Sequence, residues 1–166
     1  MTLAALLLLA DGRFPAGGHA HSGGVEVAVQ RRQVVDVAGL ETFLRGRLAT
    51  AGAVDAALAA ATCHRARRGE AIPWADLEAE AQARQPSPAL RAASRAQGGQ
   101  LLRAARRAWP GPVLDGLAEA GAAGMPLPVV LGACGAAAGC GPGHVAVAAA
   151  HQAVVGPANA AVRLLG

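Results

Sequence analysis

Lysine and tyrosine are absent from this 166-residue sequence, and its only aromatic residues are two tryptophans and two phenylalanines. With so few aromatic side chains, the core must be built from the alanine, leucine and valine that dominate the 53% hydrophobic fraction. Small side chains favour close packing of helices, alanine has the highest helix propensity, and β-branched residues occur mostly singly or in pairs. The composition therefore predicts an all-α protein.

Cysteine is also scarce, and no segment has the character of a targeting signal. Cys63, Cys134 and Cys140 are an odd number in a chain with no secretory signature, which favours reduced thiols in a cytoplasmic protein. The apolar run 3–10 has no basic region before it and is followed at once by Asp11. Glycine, proline and histidine interrupt the alanine-rich C-terminal region, so we expect no membrane-spanning helix and no membrane partner.

Basic residues are abundant by comparison, and all fifteen are arginine. A net charge of +4 permits contact with nucleic acid, acidic protein surfaces or anionic membranes. Nucleic-acid binders commonly stack bases on aromatic side chains, which are almost missing here. A solvated face or a protein interface is therefore favoured for the arginines of a long helix expected at 89–108, which are Arg91, Arg95, Arg103, Arg106 and Arg107.

Apolar spacing, caps and breakers predict one domain of about eight to ten helices spanning residues 1–166. Asp36 is placed to cap a helix on which Leu40 and Phe43 lie at helical spacing. Gly52 is expected to separate that helix from the next, and Pro157 is expected to kink the last one. The predicted segments are 2–10, 24–31, a helix after residue 36, 54–67, 74–84, 89–108, a short helix to 120, one from 126–128, and one from about 144.

Two consecutive glycines, Gly98 and Gly99, lie inside the predicted helix 89–108. Together they disfavour the helix by about 2 kcal/mol relative to alanine. Either another helix packs tightly against the glycines, or the helix breaks there to form a site. The sequence leaves both interpretations open.

The segment 13–26 concentrates glycine, two histidines and a hydroxyl between two apolar runs. Glycine permits positive φ and close backbone approach, which indicates an ordered loop with polar groups facing something. His19 and His21 invite a metal site, but zinc generally needs about four ligands, and no complete ligand spacing is present. We therefore predict no metal site within one protomer, while a site shared across a dimer stays open.

Motifs for other chemistry are incomplete as well. His21 and Ser22, like Cys63 and His64, are adjacent in sequence, and sequence neighbours on a helix point about 100° apart. The glycine-rich segment has neither a P-loop nor a strand-flanked dinucleotide pattern. The sequence predicts no catalytic residue, no cofactor and no enzyme activity.

Two separated motifs resemble the UreF family of urease accessory proteins. The first runs through residues 9–26 and includes Phe14-Pro15-Ala16-Gly17-Gly18-His19-Ala20-His21-Ser22-Gly23-Gly24-Val25-Glu26; the second is Leu90-Arg91-Ala92-Ala93-Ser94-Arg95-Ala96-Gln97-Gly98. The ending Ala161-Val162-Arg163-Leu164 is also similar. The order and separation of these segments extend the resemblance over nearly the whole chain, and segment 94–109 resembles the actinobacterial branch in particular.

The resemblance implies an all-helical, dimeric scaffold without catalysis of its own. It would bridge UreD, also called UreH, and the GTPase UreG on apo-urease so that nickel can enter, and it would gate UreG. The residues at or beneath the UreG-facing surface would be His19, His21, Ser22, Gly23, Gly24 and Glu26. Ser94, Arg95 and Gly98 would belong to the same partner-binding region and help to shape the neighbouring helix. His151 on the final helix is the candidate for self-association.

The sequence departs from the family pattern at two places. Position 19 is histidine where many relatives have an aromatic residue, and longer relatives continue beyond the Arg-Leu ending with a tail that contributes to partner docking. How UreD would bind is therefore left open. Two other functions also remain as alternatives: an arginine-rich helical nucleic-acid-binding protein, and a nickel metallochaperone using His19 and His21.

Overall fold

The computed structural model describes residues 3–11, 22–69, 71–121 and 124–165. Within these parts the chain is helical and contains no strand, which confirms the all-α prediction. The described residues form nine α-helices and one π-helical turn, Leu48–Gly52. The helices are α1 (Leu3–Ala10), α2 (Val25–Gln30), α3 (Val37–Arg47), α4 (Ala53–Arg67), α5 (Trp74–Ala83), α6 (Pro88–Ala108), α7 (Pro112–Ala120), α8 (Leu127–Ala137) and α9 (Pro142–Leu165).

Helix α8 lies at the centre of the core, since every residue from Pro128 to Gly135 is buried. Helices α4 and α6 both pack against it, and α9 packs against α4. Two glycines allow the close approach: a Cβ on Gly132 would meet Thr62 of α4, and one on Gly135 would collide with Val145 of α9. The small side chains therefore do what the composition predicted and let helices pack at short separation.

The junction at Gly52 differs from the prediction. Helix α3 continues through the π-helical turn into α4 without a break. Gly52 is buried, and a Cβ there would lie 3.1 Å from the Cβ of Ala153 in α9. The glycine is therefore explained by contact with α9, which no local sequence signal reveals.

Helix α9 begins earlier than the sequence indicated. It begins at Pro142, two residues before the expected start near His144, and the helix continues through Pro157 to Leu165. By length and composition alone α9 is apolar enough to cross a membrane, with a mean hydropathy of 1.3. Here it packs against α1, α2, α3, α4 and α8, and 39% of its apolar window is buried inside the protein.

Helix α6 runs unbroken through Gly98 and Gly99, so the helix does not break to form a site. Gly98 is buried, and a Cβ there would collide with the carbonyl oxygen of Met125 and lie 3.1 Å from Val130 of α8. Tight packing therefore accounts for Gly98. The nearest atom to a Cβ on Gly99 belongs to the Arg103 side chain of the same helix, at 3.5 Å, and nothing in the structure explains this second glycine.

Candidate functional site

The first motif is described at residues 9–11, where α1 ends, and at residues 22–26, which form the turn into α2 and its first residues. Gly23 has φ +60° and Gly24 has φ +94°, a left-handed conformation that glycine adopts without strain. Gly24 is the N-cap residue of α2, and the Val25 N–H donates to the carbonyl of Ser22 at 3.2 Å. Glu26 is exposed in the first turn of the helix. His19 and His21 lie outside the described residues.

Gly23 is held from inside the protein by Arg47, the last residue of α3. The Arg47 guanidinium donates from one nitrogen to the Gly23 carbonyl at 2.9 Å and from Nε to the Ala153 carbonyl of α9 at 3.0 Å. A Cβ on Gly23 would lie 2.7 Å from Cγ of Pro157. Packing against Pro157 and Arg47 within the protein therefore explains why residue 23 is glycine, independently of any binding partner.

Arg47 is a site residue that the sequence analysis missed. In sequence it belongs to the polar side of an amphipathic surface helix, and its carbonyl partners lie 24 and 106 residues away. Burial lowers the pKa of Arg47, and the nearby Asp55 carboxylate opposes that shift. No local pattern distinguishes this arginine from its solvated neighbours.

Asp55, near the start of α4, is the second missed residue. Burial raises the pKa of the Asp55 carboxyl from 3.8 to about 6, and the positive charge of Arg47 limits the rise. The carboxyl therefore titrates close to neutral pH instead of remaining fully charged. A buried carboxyl beside an arginine is a common feature of functional sites.

The second motif holds the segment that leads into α8, through three successive contacts. The Ser94 hydroxyl accepts the N–H of Leu127, the first residue of α8, at 2.9 Å. Arg95 donates to the Gly124 carbonyl at 2.9 Å and pairs with Glu78 of α5. Gly98 lies beneath Met125. Helix α6 thereby fixes residues 124–127.

Both motifs border one depression in the surface, which we name the α4–α6 groove. It consists of two adjoining cavities of about 910 and 220 Å³. Asp55 and Ser94 line both cavities, Gly23 and Arg47 line the smaller, and Arg95 lines the larger. Gly23 and residues 94–95, far apart in sequence, are thus brought together at this groove. Gly24, Glu26 and Gly98 do not line it.

His151 lies on another part of the surface, the exposed face of α9. It is one helical turn from Val147, whose side chain is 64% exposed.

The described residues contain no cluster of three or more histidine, cysteine or acidic side chains that could hold a metal ion. His19 and His21, the two histidines considered for a metal site, lie outside the described residues.

The three thiols are core groups. All three cysteines are buried, and burial raises the pKa of Cys63 to about 11 and that of Cys134 to about 12. The Cys63 thiol donates to the Cys140 carbonyl at 3.5 Å. A thiol with a raised pKa and no solvent access is a poor nucleophile.

Three of the five arginines on α6 are engaged within the chain. Arg91 donates to the carbonyls of Gln85 and Pro86, Arg95 pairs with Glu78, and Arg106 pairs with Asp115 of α7. The other two, Arg103 and Arg107, are exposed.

Known proteins are similar to this chain over most of its length. The family model described as UreF matches residues 34–166. The chain belongs to the UreF family. The match begins after the first motif and includes Arg47, Asp55 and the whole second motif.

Individual relatives match over nearly the whole chain. A urease accessory protein UreF from Mycolicibacterium vanbaalenii is 49% identical over 99% of this chain and 74% of its own length. Those of Mycobacterium marinum and Mycobacterium tuberculosis strain H37Rv are 46% and 44% identical over the same shares. These alignments include the first motif. No solved structure matches the chain.

Proposed function

We propose that this UreF-family protein is a noncatalytic adaptor for urease maturation. It holds UreD/UreH and the GTPase UreG on apo-urease, so that nickel can be inserted, and it gates UreG in the cytoplasm. The observation that carries the proposal is the convergence of both family-like motifs at the α4–α6 groove. A rigid helical body with buried, weakly reactive thiols suits binding better than bond breaking.

The proposed UreG-facing surface comprises the turn at residues 22–24 and the adjacent start of α2, with His19 and His21 beside it in sequence. The second motif borders the same groove through Ser94 and Arg95, and with Gly98 these residues hold the segment 124–127 that leads into α8. Gly23 is an unsuitable probe of the surface because any side chain would disturb Pro157 and Arg47. Glu26 is suitable, since it is exposed on α2.

The test is the Glu26→Arg variant in a UreG binding measurement. Reversing an exposed charge at an interface is expected to weaken UreG binding by about tenfold, with the circular dichroism spectrum unchanged. Glu119→Arg, the same change at an exposed position on α7, is the matched control and should bind as wild type does. If Glu26→Arg binds UreG with wild-type affinity, Glu26 is not part of the UreG-binding surface. If the wild-type protein does not bind UreG, the proposal is overturned.

We also propose that the adaptor is a homodimer formed through α9. Val147 and Val162 are 64% and 70% exposed, and helical spacing places them within about 60° of one another around the helix axis, with His151 between them. Leu3 and Leu7 of the neighbouring α1 are also exposed. An apolar face of this kind fits an isologous contact, which would present two equivalent surfaces to partners.

A further inference from the structure

The lining of the α4–α6 groove suits the binding of a helix. Helices α4 and α6, which both pack against α8, line it together with α5 and the segment that follows α5, and the start of α8 contributes Pro128. On the α4 wall, Ala53, Ala57 and Ala61 line the groove and are exposed, one on each successive turn. They cover about 12 Å of helix length with little more than methyl groups, so an incoming helix can approach closely.

The charges around the groove are mainly positive. Arg65 continues the line of α4 alanines, is exposed, and makes no ion pair with any described residue. Arg91 binds only backbone carbonyls, which leave its charge uncompensated, and Arg163 lines the other end. Glu80 in the lining is paired with Arg84. The other acidic residues of the lining are Asp11 and Asp55, and burial disfavours the charged form of Asp55.

We propose that the α4–α6 groove receives an amphipathic helix of UreG that places apolar side chains against the α4 alanines and carboxylates beside Arg65 and Arg91. The inference rests on the proposed function and names the feature of the partner that docks. Charge complementarity supports an acidic helix, and the groove is continuous with Gly23 and Ser94 of the proposed UreG-facing surface. Acidic side chains next to an arginine rim would speed association and fix the orientation of the helix.

Blocking the groove with a bulky label tests the proposal directly. Ala57→Cys introduces an exposed thiol on the groove wall, whereas Cys63, Cys134 and Cys140 are buried. Fluorescein maleimide should therefore modify the new thiol selectively. Ala96→Cys, exposed on α6 and outside the groove lining, is the matched control.

UreG affinity is measured for each variant with and without the label, and folding is checked by circular dichroism. Labelling Ala57→Cys should reduce UreG affinity at least about tenfold, while labelled Ala96→Cys keeps wild-type affinity. Equal affinity of the two labelled proteins would overturn the inference and leave the proposed function standing. If the unlabelled wild-type protein does not bind UreG, the proposed function itself fails. A label that changes only the oligomeric mass would assign the groove to self-association and also overturn the inference.

The charge component is tested separately with Arg65→Glu. This variant is expected to bind UreG about tenfold more weakly and to lose part of the salt dependence that wild type shows. Arg103→Glu makes the same charge change at an exposed arginine of α6 outside the groove lining and should retain both properties. Identical binding and salt dependence in the two variants would contradict a docking carboxylate beside Arg65.

Discussion

At the residue scale, the two glycines of α6 have different environments and should respond oppositely to substitution. Gly98→Ala is expected to lower the free energy of unfolding by about 1–3 kcal/mol, because its Cβ collides with the Met125 carbonyl. Gly99→Ala should raise it by up to about 1 kcal/mol, because alanine favours the helix and the nearest atom is a flexible arginine tip 3.5 Å away. Urea denaturation measures both, and two changes of the same sign would contradict the assigned packing.

Asp55 gives a second residue-scale prediction, which concerns pH. Because burial raises the pKa of folded Asp55 from 3.8 to about 6, the folded chain binds more protons than the unfolded chain between these values. Asp55 should therefore reduce the free energy of unfolding as pH rises from about 4 to 6, by about 3 kcal/mol in total. The reduction is complete above pH 6 and absent below about pH 4.

The variant that isolates this effect is Asp55→Asn, whose amide is neutral at every pH. It should be more stable than wild type at pH 7 by up to about 3 kcal/mol, and the difference should shrink toward zero near pH 4. Asp115→Asn is the control, since Asp115 is half exposed in its pair with Arg106 and should change stability by less than about 1 kcal/mol. A stability difference for Asp55→Asn that does not vary with pH would show that Asp55 titrates normally.

At the element scale, the start of α8 depends on a cap supplied by another helix. The residue at the N-cap position is Pro126, which gives no side-chain hydrogen bond, and the Ser94 hydroxyl accepts the Leu127 N–H instead. Ser94→Ala should lower the free energy of unfolding by about 1 kcal/mol and increase hydrogen exchange in the first turn of α8. Ser87→Ala, which removes a longer 3.4 Å cap on α6, should have a smaller effect. Unchanged exchange at Leu127 would contradict the capping role.

At the scale of the whole molecule, the exposed face of α9 predicts the oligomeric state. Wild type should have the mass of a dimer by light scattering at tens of micromolar, and a double variant with Val147→Glu and Val162→Glu should be monomeric because charges replace exposed valines. The control carries Val35→Glu and Val37→Glu, which are 63% and 82% exposed at the start of α3. A monomeric wild type, or a dimer that survives the α9 changes, would exclude this interface.

Local patterns explain which parts of the fold were predictable. Asp36 accepts the Gly39 N–H at 2.8 Å as its N-cap position indicated, and α6 ends at Ala108 as expected. These features depend on residues within one or two helical turns of each other. Gly52 was misread because the residue that explains it, Ala153, lies in another helix.

The sequence by itself determined the helical class, most helix limits and the family, because composition, caps and motifs are carried by neighbouring residues. Only the tertiary structure shows that the two motifs border the same groove. In it, Arg47 donates hydrogen bonds to the carbonyls of Gly23 and of Ala153 in α9, and the Ser94 hydroxyl caps the start of α8. Gly23, Ser94 and Asp55 line one cavity. These contacts bring together residues separated by up to 106 positions. Their geometry is set by the packing of α4, α6 and α9 around the core, which no single segment encodes.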